Sequence, residues 1–108
     1  MLTDRGHEIA GTYIGGRPDG LGVELHRADL LDAGALAEAC GAVRPERIVH
    51  LAGLSQVGVS FEQPERYREV NVVGTANLLE AAGPAPLLFA SSAEVYGEVP
   101  AEEQPIRE

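Results

Sequence analysis

Short apolar segments alternate with longer amphipathic ones along the chain. Strands are predicted at residues 7–14, 23–28 and 47–52, and a fourth opens at Leu87. A Gly/Pro-rich loop over residues 15–22 separates the first two. The alternation of strand and helix predicts βαβ crossovers and a mainly parallel sheet, which is the doubly wound α/β class.

Two helices are predicted between the later strands. Asp32 is placed to cap the first, which ends before Pro45 and carries an apolar face of Leu36, Ala37, Cys40 and Val43. The second runs from Pro64 to Ala82, with Gly83 and Pro84 ending it and a buried stripe of Tyr67, Val70, Val73, Leu78 and Leu79.

Composition and charge narrow the class of partners. The chain has 108 residues, of which 44% are hydrophobic, so one small globular domain is expected. Seventeen acidic residues against eight basic ones give a net charge of −9, which argues against nucleic acid and anionic membranes as partners. Apolar runs are too short to span a bilayer, and the first residues lack a signal-peptide layout, so a cytoplasmic location is expected.

The single cysteine and the histidines give no sign of a metal site. Cys40 lies in an Ala-rich helical pattern, where a small buried apolar role is expected. His7 and His26 have no partners at metal-ligand spacing, and His50 ends an apolar strand, which predicts a buried histidine with its hydrogen bonds satisfied. We therefore expect no metal.

The fourth strand ends in hydroxyl groups. Leu88-Phe89-Ala90 is followed directly by Ser91-Ser92 and then by Ala93-Glu94-Val95-Tyr96-Gly97. Because open α/β sheets bind ligands outside the carboxyl ends of their strands, these hydroxyls are candidate ligand contacts.

Five motifs in order make the chain resemble the extended short-chain dehydrogenase/reductases that act on nucleotide sugars. They are Arg5-Gly6-His7, Ala28-Asp29-Leu30, His50-Leu51-Ala52-Gly53, Asn71-Val72-Val73-Gly74-Thr75 with Asn77-Leu78-Leu79-Glu80-Ala81, and Ser91 to Gly97. The resemblance implies a partial NAD(P)-binding Rossmann-like domain over residues 1–108, with no second domain. Within the family, Ser55, Val57, Ser60 and Phe61 look like the GDP-mannose branch, although Leu54 departs from the glutamine usual there.

The resemblance also implies cofactor contacts, with NAD or NADP as cofactor. Asp29 would accept a hydrogen bond from the adenine amino group beside the Leu30 backbone, although an Asp-Leu turn that begins a helix explains the same residues. The small residues of Leu51-Ala52-Gly53 would line the ribose and pyrophosphate. Arg17 follows the strand that selects the ribose, where no acidic residue stands, which leans towards NADP; a solvated loop arginine is the alternative.

Catalytic roles follow from the resemblance for two residues. Ser92 would hydrogen-bond the C4 oxygen of the sugar, and Glu94 lies where dehydratases keep an acid/base for the C5 proton. Tyr96 resembles the packed tyrosine of the Tyr-Gly turn. Asn71 and Thr75, in a predicted helix, are either solvent-exposed or, as in the family, face the cofactor strand and organise backbone groups.

Two family features are not found in the sequence. The glycine-rich turn and its strand would precede residue 1, and the Tyr-x-x-x-Lys helix would follow residue 108; the sequence contains no lysine. The absent strand is the central one, between residues 7–14 and 47–52, so two apolar strands would lack a neighbour.

Three functions are compatible with this pattern. The first is a fragment of a nucleotide-sugar epimerase/dehydratase family enzyme, GDP-mannose 4,6-dehydratase-like or a 4-keto-6-deoxy-sugar reductase. The second is a non-catalytic binding or pairing module that needs a partner chain, and the third a structural domain. Candidate partners are a nucleotide sugar, a second copy in a homodimer and a complementing chain.

Overall fold

The computed structural model describes residues 5–106 as an α/β unit. Its strands are β1 (Ala10–Tyr13), β2 (Glu24–Arg27), β3 (Ile48–His50) and β4 (Leu87–Phe89). Its helices are α1 (Ala33–Val43), α2 (Val57–Glu62), α3 (Pro64–Arg68) and α4 (Gly74–Ala82), with a π-helical turn at Glu69–Val73. Two 3₁₀ turns follow β4, at Ala93–Tyr96 and Ala101–Glu103.

The strands form two parallel pairs, β1 with β2 and β3 with β4. Residues of β1 and of β3 line the same cavity, so these two strands face each other across a gap. The order β2-β1-gap-β3-β4 is that of a doubly wound sheet whose central position holds none of the described residues. The predicted partial α/β fold is thereby confirmed.

Each strand is shorter than the apolar segment that predicts it. The ladder between β1 and β2 covers four residue pairs, and the ladder between β3 and β4 covers three. A strand extends only as far as a neighbouring strand pairs with it, and both β1 and β3 have a paired neighbour on one side only. The predicted ends at residues 7–9 and 51–52 therefore lie outside the ladders.

Helix α1 begins and ends where its sequence requires. The Asp32 carboxylate accepts a hydrogen bond from the Ala35 N–H at 2.9 Å, which satisfies one of the free donors of the first turn. At the other end Arg44 adopts a left-handed conformation, with φ of 48°, and Pro45 follows.

The core lies between α1, α4 and the start of the loop after β2. Leu36 is 2% exposed and forms the buried cluster with Ala28 and Leu78. Three further small residues are buried on the same helices, namely Ala39, Gly74 and Ala82. This core is small: the chain exposes 8657 Å², whereas a compact domain of this length exposes about 5,800 Å².

The helix predicted from Pro64 to Ala82 is present but not regular. Pro64 occupies the first turn of α3, where its missing N–H costs nothing. A π-turn joins α3 to α4, marked by the hydrogen bond from the Gly74 N–H to the Glu69 carbonyl. Helix α2 is absent from the sequence prediction.

Candidate functional site

A cleft of about 370 Å³ lies at the carboxyl ends of β3 and β4. The segment after β3 forms one wall, the residues after β4 form another, and α2, α3 and the π-turn close it. The lining residues are Leu51, Ala52, Gly53, Leu54, Ser55, Val57, Ser60, Tyr67, Asn71, Thr75, Phe89, Ala90, Ser91 and Ser92. The predicted cofactor residues 51–53 and the predicted catalytic Ser92 therefore share one cleft.

The Asn71 side chain fixes the wall that follows β3. Its Oδ1 accepts a hydrogen bond from the Leu54 N–H at 2.8 Å, and its Nδ2 donates to the Leu54 carbonyl at 2.9 Å. A side-chain amide that bonds both backbone groups of one residue replaces the ladder that the loop lacks. Of the two alternatives for Asn71, the structure shows the one in which it organises backbone groups.

Gly53 sits directly against this amide. A Cβ atom at position 53 would lie 3.0 Å from the Asn71 Oδ1, which is tighter than ordinary contact. A larger residue would push the amide away from Leu54. Because residue 53 is glycine, Asn71 can contact Leu54 and the cleft stays open at this point.

His50 links the end of β3 to α4. It is 3% exposed, its Nε2 lies 3.0 Å from the Thr75 Oγ1, and its ring packs against Phe89 at a centroid distance of 5.3 Å. The Thr75 hydroxyl donates to the Asn71 carbonyl at 2.7 Å, so His50 must be the donor through Nε2–H. The predicted buried, satisfied histidine is confirmed.

We expect this histidine to make folding pH-dependent. Burial lowers the pKa of His50 below its usual 6.5, so the unfolded chain binds the proton more readily than the folded chain does. The stability that neutral His50 contributes is present above pH 6.5 and is lost as pH falls through the lower folded pKa.

The measurement is urea unfolding between pH 7.5 and pH 5, on the native chain and on His50→Gln. The glutamine amide can still donate to Thr75 but does not titrate. The variant should lose less stability than the native chain over this range, and parallel losses in the two proteins would contradict the assignment.

Ser92 and Glu94 lie on the turn after β4. The Ser92 Oγ accepts a hydrogen bond from the Glu94 N–H at 3.3 Å and so caps the 3₁₀ turn at Ala93–Tyr96. Gly97 ends the turn with φ of 68°, a conformation that favours glycine. The Ser92 hydroxyl still has its own proton and a second lone pair for further hydrogen bonds. Glu94 is exposed and does not line the cleft.

The predicted adenine contacts Asp29 and Leu30 and the predicted NADP contact Arg17 do not line this cleft. The Asp29 carboxylate accepts a hydrogen bond from the Leu31 N–H at 3.0 Å, which is the turn that sequence reasoning offered as the alternative role. Leu30 lines a second cavity together with Leu51 and Ala52. Arg17 is exposed in the loop after β1 and lines neither cavity.

Two residues of α4 hold Leu30, and sequence reasoning had not given them this role. The Asn77 Nδ2 donates to the Leu30 carbonyl at 3.0 Å. A Cβ atom on Gly74 would lie 2.7 Å from the Leu30 Cβ, so only glycine permits this approach. Both belong to the Asn71 to Ala81 motif, and their spacing of three positions, which places them on one face of a helix, was the available signal.

Three of the four residues that resemble the GDP-mannose branch line the cleft, and the fourth does not. Ser55, Val57 and Ser60 line the cleft, whereas Phe61 is 82% exposed. Of the predicted buried stripe, Val73 and Leu79 are 44% and 52% exposed. Tyr67 is half-buried and donates its hydroxyl to the Gln56 carbonyl at 2.8 Å, which holds the start of α2.

Within residues 5–106, no three His, Cys, Asp or Glu side chains come together as a metal cluster. None of the helices in that range has the length and apolar character needed to cross a membrane. The polar groups that line the cleft are the hydroxyls of serine, threonine and tyrosine side chains, the Asn71 amide and the backbone.

Comparison with known proteins decides the family. The family model described as GDP-mannose 4,6 dehydratase matches residues 15–108. The chain belongs to the NAD-dependent epimerase/dehydratase family. Among curated relatives, the UDP-glucose 4-epimerase of Mycoplasma genitalium is 42% identical over 82 residues, which are 72% of this chain and 24% of that protein. The UDP-glucose 4-epimerase GEPI48 of Cyamopsis tetragonoloba is 37% identical over 103 residues, covering 90% of this chain and 28% of that protein.

Structural comparison agrees with this assignment. A crystal structure of UDP-glucose 4-epimerase superposes with a TM-score of 0.81 at 30% identity, covering 92% of this chain and 32% of that one. Other matching structures of family members are complexes with NAD or NADPH. The chain thus spans about a quarter to a third of the length of these relatives.

Proposed function

We propose that this chain supplies the C4-oxygen site and part of the cofactor wall of an NAD(P)-dependent nucleotide-sugar enzyme, with epimerisation at C4 as the reaction. One observation carries the proposal: the loop Leu51-Ala52-Gly53 and the hydroxyl of Ser92 line the same cleft at the carboxyl edge of the sheet. Several relatives are UDP-glucose 4-epimerases, which favours a UDP-hexose as substrate.

The cleft fits part of the cofactor. Gly53 has no side chain to fill the cleft, and the two hydrogen bonds from Asn71 to Leu54 hold the neighbouring backbone in place. Both features would allow a ribose to approach the backbone closely. Leu51, Ala52 and Gly53 would line the ribose and pyrophosphate, and Asp29 and Leu30 the adenine. Arg17 would contact a 2′-phosphate if the cofactor is NADP.

Ser92 is the residue that we place on the sugar. Its oxygen is oriented by the Glu94 N–H, so its proton and remaining lone pair are directed elsewhere, towards a ligand in the cleft. A hydroxyl held in this way can bond the C4 oxygen while that oxygen loses and regains its proton. When bound, NAD(P) would supply the hydride acceptor for C4.

GDP-mannose 4,6-dehydration, or reduction of a 4-keto-6-deoxy sugar, is the second candidate. The matching family model carries the name of the dehydratase, and Ser55, Val57 and Ser60 line the cleft. Glu94 would remove the C5 proton in that reaction. It lies outside the cleft, which is why we place epimerisation first.

A chimeric enzyme tests both candidates. The 103-residue matching segment of the Cyamopsis tetragonoloba epimerase would be replaced by this chain, so that the host supplies the remaining parts of the enzyme. The chimera should interconvert UDP-glucose and UDP-galactose without change of mass. A product that has lost one water from GDP-mannose would favour dehydration instead. A folded chimera that retains cofactor but converts neither sugar would refute the proposed C4 site.

A further inference from the structure

Three polar side chains of the helical segment over residues 64–82 hold the loop that follows β3. They lie four positions apart and all line the cleft, namely Tyr67, Asn71 and Thr75. Their hydrogen-bond partners follow in the opposite order along the loop, namely Gln56, Leu54 and His50. One helical segment therefore holds the loop over residues 50–56 at three points.

The hydrogen bond nearest the sheet joins His50 to Thr75. The His50 Nε2–H donates to the Thr75 Oγ1 at 3.0 Å, and the Thr75 hydroxyl donates its own proton to the Asn71 carbonyl at 2.7 Å. The Asn71 amide in turn bonds both backbone groups of Leu54. Hydrogen bonds through one turn of helix thus link the residue before the 51–53 segment to the residue after it.

The segment between these two ends is Leu51-Ala52-Gly53. Its backbone N–H and C=O groups form no hydrogen bond with any of residues 5–106, because the ladder between β3 and β4 stops at His50. The position of the segment is therefore set by the hydrogen bonds at its two ends, at His50 and at Leu54.

His50 also contacts the strand that leads to Ser92. Its carbonyl accepts a hydrogen bond from the Ala90 N–H at 3.1 Å, and its ring packs against Phe89 at a centroid distance of 5.3 Å. Ser92 follows Ala90 by two positions. His50 therefore holds the start of the 51–53 segment on one side and the strand that carries the Ser92 hydroxyl on the other.

The Thr75 hydroxyl is the group on which this arrangement depends. It accepts from His50 and donates to Asn71, so it uses both of its hydrogen-bonding roles within the ring of contacts. Without it, the buried His50 N–H would have no acceptor, and a buried donor that loses its partner is costly. The histidine ring would then shift, and the 51–53 segment would lose its fixed starting point.

We propose that His50 and Thr75 are positioning residues for the cofactor wall. Their hydrogen bond fixes the Leu51-Ala52-Gly53 segment against one helical segment and aligns it with Ser92. The link to a cofactor rests on the proposed function, whereas the positioning of the segment can be measured in the chain without any cofactor.

Hydrogen exchange of the Leu54 N–H measures this positioning. The amide donates to the Asn71 Oδ1 at the end of the segment. The reference is the Ala28 N–H, which donates to the Tyr13 carbonyl in the core and reports unfolding of the chain. Thr75→Val keeps the side-chain shape and removes the hydroxyl, so NMR should show exchange at Leu54 about fivefold faster relative to Ala28.

Two further variants test whether the hydrogen bond itself is responsible. Thr75→Ser keeps the hydroxyl and should restore the native exchange ratio. His50→Leu removes the donor and should match Thr75→Val, and the double variant should show no further increase, because both changes break the same bond. If either variant does not fold alone, exchange of the peptide over residues 51–56 in the chimeric enzyme gives the same comparison by mass spectrometry.

The chimeric enzyme tests the link to the cofactor. There Thr75→Val should raise the dissociation constant of NADH about fivefold, and Thr75→Ser should not. An unchanged exchange ratio in Thr75→Val would overturn the positioning role, whatever the activity of the chimera.

Faster exchange at Leu54 with an unchanged dissociation constant would overturn the link to the cofactor. A chimera that shows both effects but converts no sugar would refute the proposed reaction and support the positioning role.

Discussion

Replacing Leu36 by alanine should abolish cooperative unfolding of the isolated chain. Leu36 is 2% exposed and is the largest side chain buried to this degree among the described residues. A buried Leu→Ala change costs about 2–5 kcal/mol, because transfer energy is lost and a cavity remains. The core around it contains few other buried apolar residues, so few contacts remain to compensate.

The matched control is Leu79→Ala. Leu79 lies on α4 and is 52% exposed, so its truncation should change the free energy of unfolding by less than about 1 kcal/mol. Urea unfolding followed by circular dichroism would measure both. Equal losses in the two variants would show that α1 and α4 do not pack around Leu36 as described.

Ser92→Ala should remove most of the activity of the chimeric epimerase. The change deletes the hydroxyl that we place on the C4 oxygen, and loss of one such proton-transfer or oxyanion contact lowers kcat by about 10²–10³-fold. The turn that carries Ser92 keeps Gly97 at its end and the backbone hydrogen bond that the Gly97 N–H donates to the Glu94 carbonyl.

Ser91→Ala is the control for Ser92. Ser91 lines the same cleft and differs by one position along the chain, so its loss tests whether any hydroxyl here would serve. We expect kcat within a few-fold of the parent for Ser91→Ala, with KM little changed in both variants. Steady-state kinetics on UDP-glucose would decide, and equal losses in the two variants would remove Ser92 from its assigned role.

Apolar periodicity predicted four strands, helix α1 and the Pro64–Ala82 helix, because these segments face a common core. Helix α2 was missed, since its apolar residues Val57 and Phe61 are largely exposed and no capping side chain marks its start. Its first turn is instead held by Tyr67 from α3, a contact between residues eleven apart. Strand ends were overestimated because pairing partners, which periodicity does not reveal, decide where a ladder stops.

At the candidate site, the sequence predicted which residue types are present but not where their side chains lie. Ser92 shares the cleft with residues 51–53 because the parallel strands β3 and β4 end at one edge of the sheet. The positions of Glu94 outside the cleft and of Asp29 in a local turn depend on turn geometry. Whether Asp29, Leu30, Arg17 and Glu94 contact cofactor or sugar stays a prediction.

The π-turn at Glu69–Val73 inserts one additional residue between the two halves of a long helix and so rotates one half about the helix axis relative to the other. An α-helix advances by about 100° per residue, so the additional residue rotates everything before it relative to α4. Asn71 can thereby reach Leu54 while Thr75, four positions later, reaches His50. Deleting Val72, whose side chain is 57% exposed, would move Asn71 relative to Thr75 and separate these two contacts. Spacing along this helix is therefore under tighter constraint than the identity of most of its residues.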